Sequence, residues 1–207
     1  MEIKNTIPKN SWVYLYEQEH NDQDITIQED TKLSIVAIDS ILDRRYKVSA
    51  WSKLDLRVVM LSDSSASTTN IDVLLDQVWA SADVYILNFV VNGNKTKIDG
   101  KIRIGENGKD TSWHLLEENI ILSDSANIHT IPILDVKNNQ VSASHGAKIT
   151  RFDKEKIFYL TSRWLDRQQA IQLLIKSYID NIFFGNDDKN LEILKDQIIN
   201  QVSSYIV

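Results

Sequence analysis

Histidine is the residue of this 207-residue chain with the widest chemistry, because the sequence contains no cysteine. The four histidines are His20, His114, His129 and His145. A neutral imidazole can ligate iron, zinc or copper, and near neutral pH it can also transfer a proton. None of the four has a second histidine at the spacing of a local metal site, so a metal bound here would need further ligands from elsewhere.

The remaining polar residues form no catalytic pattern. The sequence has no phosphate-binding glycine loop, no serine hydrolase elbow and no zinc protease helix motif. We expect the acid pairs at 117–118 and 187–188 to be solvated, because sequence neighbours rarely share the burial that acid–base catalysis needs. We expect His114 to be an ordinary surface residue, and His20 and His129 to lie in polar turns. The sequence therefore predicts a protein that is not an enzyme.

His145 differs from the other three histidines in its place along the chain. It precedes Gly146, whose missing Cβ permits a tight bend or a close backbone approach. It also stands where strand-like alternation gives way to helical periodicity. On these grounds alone, a turn histidine bonded to backbone is the commoner interpretation.

From Trp12 to about Ile149 the chain shows short segments that alternate between apolar and polar residues. We count eleven candidate strands, which start with WVYLYE and end with VSASHGAKI. No helical stretch of ten or more residues interrupts them, which disfavours a doubly wound sheet and leaves a barrel, a sandwich or a β-solenoid. Polar connections with frequent turn signals favour the solenoid, although no strict repeat is present. We assign 1–150 to a β-helix core and 151–207 to a C-terminal helical domain.

The helical region carries clear start signals. Asp153 is predicted to cap a first helix, and Asp166 with Gln169 has the spacing of a capping box at the start of a second. Gly185 fits the end of that helix, and a third helix is expected from Asp188. An apolar stripe of the second helix is formed by Ile171, Leu174, Ile175, Tyr178 and Ile182.

Composition places the chain among ordinary globular proteins. Hydrophobic residues make up 43% and charged residues 25%, and the net charge is -6. No apolar run approaches the roughly 20 residues of a membrane span, the start lacks a signal peptide core, and no basic cluster could follow a phosphate backbone. We therefore expect a cytoplasmic protein that binds neither membranes nor nucleic acid.

Residues 119–175 resemble the C-terminal part of the SufB/SufD family, subunits of an iron-sulfur cluster assembly complex that works with the ATPase SufC. The resemblance rests on the order of short motifs: NIILSDSA, a proline before ILDV, SHGA, FYLTSR and an alanine-led apolar helix. It is strong from about 97 to 184, and residues 10–96 are compatible with it.

The resemblance implies a right-handed parallel β-helix followed by a small helical domain. It implies a dimer through the β-helix edge, with a SufB/SufD-like subunit or with a second copy, and docking of a SufC-like ATPase on the helices between Ile157 and Ile182. The candidate partner-binding residues are Phe158, Tyr159, Arg163, Trp164, Ile171, Leu174 and Tyr178. An alternative for Phe158 and Leu160 is that they close the end of the solenoid.

His145 aligns with the histidine of the SHGA motif in SufD. The resemblance therefore implies no tightly bound cofactor and a transient role for His145 as a ligand to iron or an iron-sulfur cluster shared with a partner. Many SufD proteins have a cysteine where this chain has Ala143, and a glycine where it has Trp164. By the same resemblance the 207 residues are about half the length of a usual member, and we expect the family's N-terminal region to be missing from them. A left-handed cap is strained for tryptophan, so we expect Trp164 to change how the first helix ends.

Two functions compete at this point. The first is a non-catalytic, SufD-like subunit of an iron-sulfur cluster assembly complex. The second is a stand-alone β-solenoid interaction module that has lost the cluster role, which the absence of cysteine favours. A solenoid enzyme acting on carbohydrate would need clustered acids on one β-face, and nothing in the sequence recommends it.

Overall fold

The computed structural model describes residues 11–16, 23–38, 43–63, 66–91, 95–183 and 189–206. Within these ranges the chain forms twelve strands and then three helices. The strands are β1 (Ser11–Tyr16), β2 (Gln23–Ile27), β3 (Lys32–Ile38), β4 (Asp43–Val48), β5 (Lys53–Ser62), β6 (Ala66–Leu75), β7 (Ser81–Val90), β8 (Lys95–Ile104), β9 (Thr111–Ile121), β10 (Asn127–Thr130), β11 (Ile133–Val136) and β12 (Val141–Arg151). The helices are α1 (Lys154–Thr161), α2 (Arg167–Ile182) and α3 (Lys189–Ser203). The predictions for His20, Gly185 and the acid pair at 187–188 fall outside the described residues.

Successive strands alternate between two sheets. Sheet A has the order β1-β3-β5-β7-β9-β12, and sheet B has the order β10-β8-β6-β4-β2, with β11 also paired to β8. Every pairing is parallel, for example β5 with β7 and β6 with β8. Each coil thus contributes one stretch of strand to each sheet, which is the arrangement of a β-solenoid. The predicted fold class, a parallel β-solenoid followed by helices, is confirmed.

The space between the sheets holds the first apolar core. Alternate residues of each strand point into it, as Leu54, Leu56 and Val58 of β5 do, each with no exposed surface. Residues of the same row on neighbouring coils stack on one another, as Leu54 does on Ala82. Full burial of each aliphatic side chain contributes about 1.5–3 kcal/mol, so the stack stabilises the solenoid over the described core residues, from β2 to β12.

A second apolar core lies between sheet A and the helices. The outward residues Leu87 and Phe89 of β7 are fully buried and belong to the same cluster as Ile175 and Ile179 of α2. This half of the sheet is therefore buried on both faces. Apolar–polar alternation along a strand predicts one buried and one solvated face, and that prediction is wrong here, because helices that follow the strands in sequence fold back over them.

The corners that lead from sheet B into sheet A repeat one backbone conformation. Asp30, Trp51, Trp79 and Asp110 all have positive φ, between 53° and 58°. The corners bond to one another, since the N–H of Trp51 donates to Val78 O and the N–H of Trp79 donates to Lys109 O. The two indole rings stack with centroids 5.3 Å apart. These bonds hold successive coils in register at this edge.

The predicted helix starts are confirmed. The Asp153 side chain accepts hydrogen bonds from the N–H groups of Glu155 and Lys156, and Asp166 with Gln169 forms a reciprocal capping box. Among the described residues, none of the helices has the length and apolar character that crossing a membrane requires.

The strand prediction misses one element and starts several others too late, among them β4, β6 and β9. β10 was not predicted, because its four residues, NIHT, are too few to show a period. His129 therefore lies in a strand and not in a turn, although it is exposed. β9 begins at Thr111, eight residues before the predicted segment NIILSD.

Candidate functional site

The candidate site is the terminal coil, which we define as residues 127–151, that is β10, β11 and β12 with their connections. β12 is 11 residues long and is the last strand of sheet A, so its only partner in the described part of the chain is β9. Most of its residues are exposed. A long strand with one unpaired side presents backbone N–H and C=O groups that another strand can pair with.

Backbone hydrogen bonds identify the free side of β12. The N–H of Phe152 donates to Ile121 O at 2.9 Å, and Gln140 O accepts from the N–H of Asp110 at 2.8 Å. Along a strand the backbone groups alternate in direction, so the N–H and C=O groups of even-numbered residues point towards β9. The odd-numbered residues therefore point their N–H and C=O to the free side, among them Ala143, His145, Ala147 and Ile149.

His145 combines a free backbone with an exposed ring. It pairs in register with Leu115, whose side chain lies in the core between the sheets. The His145 side chain projects on the same side of sheet A, yet it is exposed, because no further described coil lies beyond β12. The flanking residues of the same row, Ala143 and Ala147, are small and leave the imidazole accessible.

The terminal coil also exposes apolar side chains. The large apolar residues of this coil with at least 40% of their surface exposed are Ile131, Ile133, Val136 and Ile149. Ile149 lies on β12 itself, and the other three lie on or next to β11, at the same end of the solenoid. Apolar groups next to an unpaired strand are typical of a surface that a partner covers.

The described residues contain no group of three or more His, Cys, Asp or Glu side chains that could hold a metal ion. His114 lies on β9 in register with Ser144 and has its Nδ1 2.8 Å from Ser144 Oγ. That pair occupies the outer face of sheet A, whereas His145 projects from the opposite face. His145 therefore offers a single imidazole on its face of sheet A, and a partner would have to complete any metal site built on it.

The acid pair Glu117 and Glu118 is buried, so the prediction that both are solvated is wrong. Glu118 lies on the outer face under the helices, where it accepts hydrogen bonds from Tyr85 Oη at 2.5 Å and from Lys148 Nζ at 2.5 Å. Burial and the bond to Glu118 raise the pKa of Tyr85, and the same carboxylate raises the pKa of Lys148. Glu118 thus ties β12 to β7. The signal that could have shown this is alternation, since within one strand neighbouring residues must face opposite sides.

A second exposed surface lies on and just after α1. Phe158 is 76% exposed, Tyr159 58% and Trp164 98%. The Arg163 guanidinium lies 5.3 Å from the centroid of the Tyr159 ring, a cation–π contact. We call these four residues the aromatic patch. Exposed aromatic and arginine side chains of this kind often anchor protein interfaces.

Comparison with known proteins identifies the family. The SufBD core domain of the SUF system for iron-sulfur cluster assembly matches residues 49–178, more than half of this chain. The chain belongs to the SufBD family. The matched range contains the terminal coil, α1 and most of α2, and the resemblance seen in the sequence is confirmed.

Two relatives show how much of a SufBD protein is matched. An iron-sulfur cluster assembly SufBD family protein of Staphylococcus aureus (strain USA300) is 29% identical over 89 residues, which cover 43% of this chain and 19% of that protein. The iron-sulfur cluster assembly protein SufD of Escherichia coli (strain K12) is 27% identical over 117 residues, which cover 56% of this chain and 27% of SufD. The matched segment is thus a small part of each relative's length.

The candidate partner-binding residues on α2 are less exposed than those on and just after α1. Ile171 is 1% exposed and packs in the core between helices and sheet, so its side chain does not reach the surface. Leu174 and Tyr178 are half-buried against the same core. Leu160 is also half-buried there, whereas Phe158 is exposed and does not close the end of the solenoid.

Trp164 stands where the resemblance in the sequence leads us to expect glycine, and its φ is 74°. The backbone after α1 thus takes the left-handed conformation that we expect to be strained for tryptophan. The Trp164 side chain is 98% exposed, so packing of its indole offsets little of the backbone strain. Retention of a strained, exposed tryptophan is consistent with a role at a surface.

We expect Trp164→Gly to stabilise the protein by about 1 kcal/mol, because glycine adopts positive φ without a steric penalty. Urea denaturation followed by circular dichroism would measure the change. Trp164→Ala is the matched control, since it removes the indole but keeps the Cβ, and it should not stabilise. Equal stability of the glycine and alanine variants would show that the turn carries no strain.

Proposed function

We propose that this SufBD chain is a non-catalytic, SufD-like subunit in iron-sulfur cluster assembly. The observation that carries the proposal is the free edge of β12, where the backbone of His145 is unpaired and its imidazole is exposed. Family membership supports the cluster role. The subunit acts in the cytoplasm, as its sequence leads us to expect.

The terminal coil joins a second SufB/SufD-like subunit, or a second copy of this chain, by adding strands across the free edge. Such β-pairing derives affinity from main-chain hydrogen bonds, and the exposed apolar residues of this coil add contact area. The pairing would bring a partner's side chains to His145. The imidazole then supplies one ligand to transient iron or a transient cluster, and the partner supplies the thiolates that this chain lacks.

The aromatic patch binds a SufC-like ATPase. Tyr159 and Arg163 are the expected anchors, because the ring is held by the cation–π contact and both groups face solvent. The contact extends to the partly exposed residues of α2, Leu174 and Tyr178. Ile171 supports it from beneath by fixing α2 on sheet A.

Co-expression of the full chain with a SufC-like ATPase and a cysteine-bearing SufB-like subunit tests the proposal. We expect the three proteins to co-purify, and we expect His145→Ala to lose most of the partner-dependent iron while leaving the complex intact. His129→Ala is the matched control, because His129 is an exposed histidine of the same coil. Failure to capture either partner, or equal iron in both variants, would contradict the proposal.

A second candidate function is a stand-alone β-solenoid interaction module. The absence of cysteine favours it, since clusters are normally held by cysteine sulfur. Stable capture of a partner by the free edge, with iron content that does not depend on His145, would select this candidate.

A further inference from the structure

One buried acid joins the terminal coil to the coil before it. Glu117 has no exposed surface and lies on β9, between Leu115 and Asn119 of the row that points into the solenoid. Its Oε2 accepts a hydrogen bond from the hydroxyl of Thr130. Thr130 lies on β10, at the edge of sheet B. The contact therefore crosses the interior and holds the first strand of the terminal coil from within.

Gly100 makes room for this carboxyl group. A Cβ built on Gly100 would lie 2.2 Å from Glu117 Oε1 and 2.7 Å from Leu115 Cδ2. No side chain could occupy that position unless Glu117 moved. The interior of β8 is thus shaped around the carboxyl group, which indicates a built contact and not an acid trapped by chance.

The neighbouring charged groups do not offset a negative charge on the buried Glu117 carboxyl group. On β8 the nearest acid is Asp99, which pairs with Lys97 Nζ on the outer side at 2.5 Å. On β10 the neighbour of Thr130 is His129, which is exposed. On β7 the residue in register with Glu117 is Ile86.

Towards β12, the residue in register with Glu117 is Ala147, and His145 lies two positions before it on the same face. Lys148 and the adjacent Glu118 form an ion pair on the opposite face. Burial raises the pKa of Glu117 to about 7; the Thr130 hydroxyl and the Gly100 backbone oppose this, and Asp99 adds to it. The side chain is therefore a neutral acid below that pH.

We propose that Glu117 is a proton-dependent positioning residue, which keeps the terminal coil closed as a neutral acid and loosens β10 as a carboxylate. The neutral acid can bond to Thr130 without a desolvated charge, whereas the carboxylate is better solvated when the coil opens. This inference rests on the proposed function in one respect, namely that β12 is the edge with which a partner pairs. The contact between Glu117 and Thr130 lies within one chain, so its pH dependence can be measured without a partner.

The direction of the pH effect follows from the two pKa values. Glu117 titrates at about 7 when the coil is closed and near 4.5 when it is open to water. The closed form holds the extra proton, so opening becomes more favourable as the pH rises from 4.5 to 7, and the effect is complete above 7. Full linkage would increase the open population up to roughly 70-fold between pH 5 and pH 8.

Hydrogen exchange of the β10 amides in the full chain, corrected for intrinsic rates, measures this opening. We expect the wild type to lose protection between pH 5 and pH 8, and Glu117→Gln to remove most of that loss, because the amide has the shape of the neutral acid. Glu106→Gln is the control, since Glu106 is an exposed acid in the turn after β8. It should retain the wild-type pH profile.

Two results would overturn the proposed pH-dependent role of the contact between Glu117 and Thr130. One is the same pH dependence in wild type and Glu117→Gln. The other is a Glu117→Gln chain with less protected β10 amides than the wild type at pH 5, where both side chains are neutral. Because exchange is measured on the chain alone, loss of partner capture would contradict the proposed function and leave this result standing.

Discussion

Ala147→Pro is expected to weaken edge pairing of β12 roughly tenfold to a hundredfold, whether the partner is a SufB-like subunit or a second copy. The N–H of Ala147 points to the free side, so proline removes a donor that only a partner would use. The ring also obstructs an approaching strand. Sedimentation of the chain alone, and binding to an immobilised SufB-like subunit, would measure the loss.

The same variant should fold. Ala147 makes no backbone bond to β9, and the preceding Gly146 accommodates the restriction that proline imposes on its neighbour. We expect the free energy of unfolding to change by less than about 1 kcal/mol. Ser144→Pro is the contrasting variant, because its N–H faces β9 and its loss should destabilise the protein. Unaltered association of Ala147→Pro would exclude β-pairing at this edge.

Phe89→Ala is expected to lower the free energy of unfolding by about 3–5 kcal/mol, the largest energetic effect among the variants considered. Phe89 has no exposed surface and lies between sheet A and the helices. Its removal leaves a cavity where α2 packs on β7. Urea denaturation of the variant and the wild type at the same pH would measure the change, since the titration of Glu117 is then common to both proteins.

Phe158→Ala is the matched control, because it removes the same side chain from a position that is 76% exposed. We expect it to change stability by no more than about 0.5 kcal/mol. A small effect of Phe89→Ala would mean that the helices and the sheet do not share a core. It would also remove the structural basis for fixing the aromatic patch relative to the terminal coil.

The sequence predicts the class of fold because alternation and helix caps are local signals. The strands from β5 to β8 show their period plainly, and Asp153, Asp166 and Gln169 do what their types and spacing predict. The choice between a barrel, a sandwich and a solenoid depends on which strands pair. That choice is not local, so the turn signals favoured a solenoid without deciding it, and the resemblance to SufB and SufD proteins was the second indication.

The site was predicted in part. The sequence and the resemblance single out His145, whose free backbone and exposed ring come from its place on the last strand of sheet A. Two features were not predicted. Burial of the acid pair depends on the length of β9 and on helices that lie some 50 residues further along the chain. Burial of Ile171 depends on which stripe of α2 faces the sheet, and the motif alone does not reveal this.

The left-handed corners also explain why no repeat is visible in the sequence. Successive coils differ in length, yet each passes this corner in the same left-handed conformation. Backbone hydrogen bonds between the corners keep the coils aligned, so matching residues are not needed there. Insertions and deletions at this corner would break the alignment. The connections that lead from sheet A back to sheet B could change in length without that effect. Length differences among homologous coils should therefore accumulate on that opposite side, and an engineer who wishes to add a tag or a loop to this rod should place it there.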